Sequence, residues 1–371
     1  MIASVVAFAA LAAPALAQTR AQRIWDVKPG AHVSALPARD FVEPGCGNRG
    51  GPRGAALAGF ADFRTCAPEP SGLREVWFEY DDTAEYIAFA RREPLRARTT
   101  SVLDQPVVLS LLIDGSGFTR GYRIFTDTRA EHELRLHAHE VALHFKARFD
   151  LEAHCADIPA APGETPIDGD FVKELCEKQT DAGRITSEAR FYFRPGQQLR
   201  DPHTNQPMAN AFESSARLEV VWIASADTAP LAAPPRTTPI ADPRAAFLAG
   251  AAKDCPGCDL SGADLRYRDL TAADLKGAIL TGAQLHRARL RGADLTAARL
   301  DNANLNRAVL AAARLPSASL EGAMLWQADA QRADFSGAVL RGALMGKALL
   351  AGARFAGATL TSADLGEIGR A

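Results

Sequence analysis

The stretch CDLSGADLRYRDLTAADLKGAILTGAQLHRARLRGADLTAARL, residues 258–300, decides the fold of the C-terminal third. Read in fives it does not slip. A large apolar residue stands at Leu260, Leu265, Leu270 and at every fifth position to Leu365, with Ala330 the one small centre. Two residues before each centre sits Ala, and Cys258 and Arg268 are the exceptions. Glycine recurs two residues after the centre, as at Gly262, Gly277, Gly282 and Gly292, where a turn with positive φ favours it. A period of five matches neither the 3.6 of a helix nor the two of a flat strand, so the chain must turn a corner at every repeat.

Runs of the form A-[DN]-L-x-x, as in Ala263-Asp264-Leu265, Ala273-Asp274-Leu275 and Ala293-Asp294-Leu295, resemble the pentapeptide-repeat family. The resemblance implies an all-β right-handed quadrilateral β-helix over 258–365, four repeats to a coil, with the centre and the residue two before it pointing inward. Twenty-two repeats on four faces make about 5.5 coils, and at about 4.8 Å per coil the rod stands roughly 26 Å tall. Such a solenoid is held by neighbour stacking and needs covered ends. Residues 242–253 are expected to form a capping helix, opened by Asp242-Pro243 as N-cap and first-turn proline. Phe247 and Leu248 are then placed over the open end. Nothing comparable follows Leu365, so the far end is an open edge or a contact with a second copy, which makes a homodimer through that end an expectation.

Members of this family include DNA-mimicking inhibitors of type II topoisomerases, whose acidic surfaces stand in for phosphates. Residues 255–371 carry eleven Asp and Glu against fourteen Lys and Arg, the wrong sign for such a mimic. Stacking at intervals of twenty maps the outer surface instead. Tyr267, Arg287, Arg307, Gln327 and Lys347 line one corner, and His286, Met324, Trp326 and Leu344 line the adjoining face. A basic edge beside an apolar patch fits a partner protein or an acidic envelope polymer. The plainer alternative is that the charges are solvated and the patch docks the rest of the chain.

The remaining sequence bounds the setting. At 371 residues the chain can hold two cores, and its formal charge of −2 argues against a nucleic-acid partner. Residues 1–17, MIASVVAFAALAAPALA, read as a signal peptide with Ala15-Leu16-Ala17 as its cleavage site, although no Lys or Arg precedes the apolar run. The expected location is therefore periplasmic or secreted, with no transmembrane segment. Six cysteines suit an oxidising compartment. Sequence neighbours suggest Cys46–Cys66, Cys155–Cys176 and Cys255–Cys258, one of fifteen connectivities.

Residues 25–225 read as an α+β domain. Strands are expected at EVWFEY, from Glu75, and at EYIAFARR, from Glu85, then in the hairpin PVVLSLLI-DGSG-FTRGYRIFTD around Asp114–Gly117, and again at 185–194 and 217–223. Residues 131–150 switch to a helical period, and a short helix is expected at 170–179. The Gly-rich run Gly45–Gly54 is expected to hold neither helix nor strand. Residues 226–241, rich in proline and alanine, read as a linker.

Candidate chemistry is sparse. His137, Glu140 and His144 share one face at spacings of three and four, a geometry that can hold a metal. His139-Glu140-Val141-Ala142-Leu143-His144 is one residue too long for the zincin motif. The Gly45–Gly54 loop with its arginines admits an anion-cradling reading, and is read without a G-x-x-x-x-G-K-[ST] or a G-x-G-x-x-G pattern. Cys255-Pro256-Gly257-Cys258 is a C-x-x-C, but Cys258 takes an inward repeat position and reads as structural. No nucleophile motif and no cofactor motif is assigned. Two readings follow: an exported, non-enzymatic scaffold or binding protein that uses the rod as its interaction surface, or an envelope enzyme or metal-binding protein with its site in the N-terminal domain.

Overall fold

The computed structural model describes residues 22–49, 54–93, 100–195, 212–223 and 242–367. The expected signal peptide and linker lie outside the described residues, as do 50–53 of the Gly-rich run. Among the described residues, nine strands form one antiparallel sheet. They are β1 (Phe41–Cys46), β2 (Arg74–Tyr80), β3 (Ser101–Val102), β4 (Gln105–Ile113), β5 (Thr119–Thr126), β6 (Cys155–Asp157), β7 (Val172–Thr180), β8 (Gly183–Phe193) and β9 (Phe212–Trp222). The order across the sheet is β1-β2-β4-β5-β9-β8-β7-β6, with β3 on β4.

The β4–β5 hairpin forms as its alternation requires. The Asp114 carboxylate accepts hydrogen bonds from the Ser116 and Phe118 amides and closes the turn. One sheet face buries Val76, Phe78, Leu109, Leu111, Tyr122, Ile124, Leu218 and Val220. Over that face lies the helical segment, with Val141, Ala142 and Phe145 in the same core. The segment is broken: α2 (His132–Leu136), a 3-10 turn (Ala138–Glu140), then α3 (Val141–Phe149).

Three local expectations are corrected. EYIAFARR is helical, as α1 (Thr83–Arg91), because Tyr86, Phe89 and Ala90 recur at the spacing of one helix face and pack there. Residues 170–179 are strand β7, where Cys176 pairs opposite Cys155 on one side and Ser187 on the other. Cross-strand pairing overrides the local helical tendency there. Gly45 and Cys46 belong to β1, an edge strand in which Pro44 is tolerated. A Cβ on Gly45 would meet the Trp77 indole at 2.5 Å, so the close approach of the two strands requires glycine.

The repeat region is a ladder of single parallel bridges, each joining residues twenty apart: Asp259 to Ile279, Asp264 to Gln284, and so on to Leu344 with Asp364. Four repeats therefore make one circuit. The Leu centres from Leu260 to Leu340 are buried, as are the alanines two before them from Ala273 to Ala348. Every position two after a centre has positive φ, whether Gly262 at 64° or Arg287 at 55°. Each corner is closed by the amide three residues on, as Ala263 to the Leu260 carbonyl. These are the features of a type II turn. In the last described coil, Leu350, Phe355 and Leu360 are half-buried and Leu365 is 43% exposed.

At the other end stands α4 (Pro243–Leu248), its N-cap Asp242 accepting from the Arg244 amide. Phe247 is buried in the repeat core, whereas Leu248 stays exposed. Arg268, which breaks the alanine rule, donates to the carbonyls of Phe247 and Ala252 and lies over the Phe247 ring. The irregular repeat thus helps tie the helix to the coil, alongside Arg244 of α4, which donates to the Asp259 carbonyl.

Candidate functional site

The outer face mapped from the repeats meets the chain's own N-terminal region. Asp81 and Asp82 end the turn between β2 and α1 and point at the rod. His286, fully buried, donates from Nε2 to Asp82 Oδ1 at 2.7 Å. Arg287 Nη2 donates to Asp82 Oδ2 at 2.5 Å, and Arg307 Nη1 lies 3.2 Å from the same oxygen. Tyr267 donates its hydroxyl to Asp81 at 2.8 Å, and Arg266 pairs with Asp81. Arg287 also reaches Glu43 and Glu79. Glu43 turns outward at a bulge in β1 with φ of 51°.

Helix α1 then climbs the ladder. A helix rises about 1.5 Å per residue and the rungs stand about 4.8 Å apart, so a rung passes every three to four residues. Asp82 meets His286 and Arg287. Tyr86 packs on the His286 ring, carries Arg307 over its own ring and accepts from Asn306 Nδ2 at its carbonyl. Phe89 stacks on Trp326 at an interplanar angle of 22°, and Arg92 bonds Asp364 at 2.9 Å. Met324 is buried and stacks beneath Leu344, while Lys347 lies over the Trp326 ring and pairs with Glu367.

Electrostatics hold this clasp closed. Burial alone would raise the Asp82 carboxyl, but the His286 hydrogen bond and the Arg287 and Arg307 charges outweigh it and hold it at about 2. Burial works against the Arg287 charge, yet Asp82 and Glu43 raise its pKa. The Tyr267 hydroxyl is pushed up by burial and by the two aspartates beside it.

The family described as pentapeptide repeats matches in eight copies, over residues 258–296, 288–327, 318–343 and 333–367. Residues 258–367 are pentapeptide repeats. They resemble three solved structures. One is a pentapeptide repeat protein, Rfr23, from the cyanobacterium Cyanothece 51142, at 25% identity over 31% of this chain and 95% of that one, TM-score 0.27. Another is a pentapeptide repeat protein from the Arabidopsis thaliana thylakoid lumen, at 32% identity over 24% and 70%, TM-score 0.17. The third is QnrB1, a plasmid-mediated fluoroquinolone resistance protein, at 25% identity over 31% and 61%, TM-score 0.21. No curated protein matches the chain.

Outside the pentapeptide repeats, the structure separates the histidine candidates. His137 Nδ1 lies 2.8 Å from Glu140 Oε1, while His144 packs against Trp25. Among the described residues, the donor atoms that converge as a metal site would require belong to Cys155, Glu174 and Cys176, and both cysteines are in a disulfide. The broken helix brings His139, read from the sequence only as the start of the over-long zincin-like run, to the boundary of two cavities of about 840 and 350 Å³. Its Nδ1 faces the Leu136 carbonyl and Ser214 Oγ, and burial lowers its pKa. All three disulfides suggested by sequence neighbours are present, and Cys255 is buried in the rod's core. Gly45-Cys46-Gly47-Asn48-Arg49-Gly50 does have the G-x-G-x-x-G spacing. It begins within β1, an antiparallel edge strand, and a 3-10 turn at Phe60–Thr65 comes next, so the parallel βαβ context of a dinucleotide site is absent among the described residues.

A second concentration of charge lies on the outer sheet face. Arg123, in the middle of β5, is buried and bonds Glu69, Glu75 and Glu219, the last at 2.6 Å. Burial opposes the Arg123 charge, and the carboxylates more than restore it. The Arg123 hydrogen bond leads in holding Glu69 below the usual carboxylate range. Around this centre is a groove of about 520 Å³, floored by Leu112, Phe125, Leu175 and Val221. The signal for it was legible as the lone arginine in the apolar arm Tyr122-Arg123-Ile124. Among the described residues, no helix is long and apolar enough to cross a membrane.

Proposed function

We propose that this chain is an exported, non-enzymatic binding protein in which the pentapeptide-repeat rod is a scaffold bracing the N-terminal region. The rod's interaction surface is occupied in cis, and the outer sheet face of the N-terminal region is what meets a partner protein, an acidic envelope polymer or a smaller ligand. The reading includes an N-terminal domain over 25–225, a linker at 226–241, a capping segment at 242–253 whose helical part is α4, and a right-handed rod of about 5.5 coils. It also includes pairing of two copies through the exposed last coil. Three disulfides support an oxidising location.

The observation that carries the proposal is the grip of His286, Arg287, Arg307 and Tyr267 on Asp82 and Asp81. A buried cluster of this kind becomes costly when one partner is removed. The test is Asp82→Lys followed by small-angle scattering and thermal unfolding. Release of the two parts should raise the radius of gyration and split one unfolding transition into two. An unchanged radius and a single transition would overturn the bracing role.

The second reading, an envelope enzyme or metal-binding protein, is favoured by His139. Its Nδ1 is tied to a backbone carbonyl, which suits an imidazole whose other nitrogen serves as base or ligand. Stoichiometric zinc in the purified protein, lost in His139→Gln, would support this reading over the first. Metal-free protein would count against its metal-binding form.

A further inference from the structure

The groove on the outer sheet face contains more charge than its own pairing consumes, and the remainder is of one sign. Each carboxylate on its lining already has an arginine. Glu69 has both oxygens on Arg123, Glu219 gives Oε2 to Arg123 at 2.6 Å, and Glu188 is held by Arg190. Arg123 is surrounded by carboxylates and 6% exposed. The cations at the mouth are different. Arg184 lies 3.6 Å from Glu219 with its side chain 55% exposed, and Arg49 lies 3.5 Å from Glu69 with its side chain 63% exposed. Arg217 is exposed, faces the Phe125 ring at 5.6 Å and has no carboxylate within ion-pair distance among the described residues.

These positions follow from the register. Phe125 pairs with Arg217 and Arg217 with Glu188, while Gly121 pairs with Val221 and Val221 with Arg184. Between these two rows lies Arg123–Glu219–Thr186, so the strip has its paired charges in the middle and, at either end, an arginine beside an apolar residue: Arg217 beside Phe125 and Arg184 beside Val221. Gly121 lacks a side chain, because a Cβ there would strike the Val220 carbonyl at 2.1 Å, and this leaves the floor open between Leu112 and Val221. The volume is in the range of sites for small organic ligands.

We propose that the groove binds a small organic anion: a sulfonate, carboxylate or phosphate head held by Arg217, with an aromatic or aliphatic body over the adjacent Phe125 and with Arg184 adding positive charge at the other end of the strip. Arginine suits such heads because its planar fork donates two parallel hydrogen bonds to one anion. The apolar floor supplies the affinity that an exposed ion pair alone does not. This inference rests on the reading of the chain as a binding protein and names the ligand class. It does not depend on the clasp between Asp82 and the rod.

The experiment is calorimetric titration of the full chain with naphthalene-1-sulfonate, naphthalen-1-ylmethylammonium and inorganic sulfate. The sulfonate should bind at least tenfold more tightly than the ammonium, and inorganic sulfate should not compete at equal concentration. Arg217→Gln with Arg184→Gln should weaken the sulfonate at least fivefold, while Arg299→Gln on the rod should leave it unchanged. Circular dichroism checks that each variant is folded. Equal or tighter binding of the ammonium overturns the ligand class while leaving a binding site in place. An effective inorganic competitor removes the role of the apolar floor. No binding by either organic probe, or binding unaffected by the double variant, overturns the site itself. Scattering of Asp82→Lys reports on the bracing reading separately.

Discussion

His286 and Asp82 are 204 positions apart in sequence and hydrogen-bonded at 2.7 Å, with the imidazole fully out of solvent. The pair sits where a five-residue ladder meets an antiparallel sheet, and it turns two kinds of periodic structure into one body. Helix α1 makes this practicable, because its rise per turn keeps step with the rungs.

Stability should therefore follow the Asp82 carboxyl at low pH. Its folded pKa of about 2 is below the ordinary value of 3.8. A depressed acid stabilises the fold above the unfolded pKa and loses that contribution as pH falls through the folded one. The clasp's contribution, about 2 kcal/mol by this linkage, should be constant above pH 4 and fade between pH 4 and 2. Denaturant unfolding across that range should show the loss, and Asp82→Asn should remove most of this dependence. A variant with the same acid slope as the parent would refute the assignment.

Gly346 and Gly357 should respond differently to alanine. A Cβ at Gly346 would lie 2.3 Å from the Trp326 ring, whereas one at Gly357 meets only the Gly337 amide nitrogen, at an ordinary contact distance of 4.0 Å, but has φ of 69°. Gly346→Ala is expected to cost about 1–3 kcal/mol by overpacking, and Gly357→Ala about 1–2 kcal/mol from left-handed backbone alone. In a Trp326→Ala background the Gly346→Ala cost should largely vanish, and the Gly357→Ala cost should persist. Thermal unfolding of the two single glycine variants, Trp326→Ala and the two double variants decides it.

Much of the rod was readable because its cause is local. Each centre, each preceding alanine and each corner glycine acts within five residues, and the bridges at twenty follow from repetition. The clasp was not readable, because nothing near Asp81-Asp82 says that a basic corner two hundred residues on will cover it. The rod's half of that contact was visible as a basic edge beside an apolar patch, without its occupant. EYIAFARR misled because Tyr86, Ala88 and Ala90 alternate with Ile87 and Phe89 in a way that suits strand or helix, and packing against Trp326 and His286 selects the helix. The break at 137–140 likewise took His144 away from His137 and put His139 at the cavities instead.

Arg123 should be intolerant of removal. Arg123→Met leaves Glu69, Glu75 and Glu219 facing one another, two of them mostly buried. Breaking a buried charge cluster from one side costs about 3–5 kcal/mol. Replacing Glu75 and Arg123 together with apolar residues should cost less than the sum of the single changes, as measured by urea unfolding.

The Cys46–Cys66 disulfide closes a loop of sequence separation 20. Replacing both cysteines by Ala should cost about 3 kcal/mol, chiefly through the unfolded chain. The loss should appear in the N-terminal transition and leave the rod's unfolding in place if the two are separated by Asp82→Lys.

The most direct measurement of the central claim is the coupling energy between Asp82 and Arg287 in a double-mutant cycle, read from equilibrium unfolding of the parent, Asp82→Ala, Arg287→Ala and the double variant. A clasp that joins rod and sheet predicts a coupling of about 2 kcal/mol or more. Additive losses, with coupling near zero, would mean that the two parts lie side by side without holding each other.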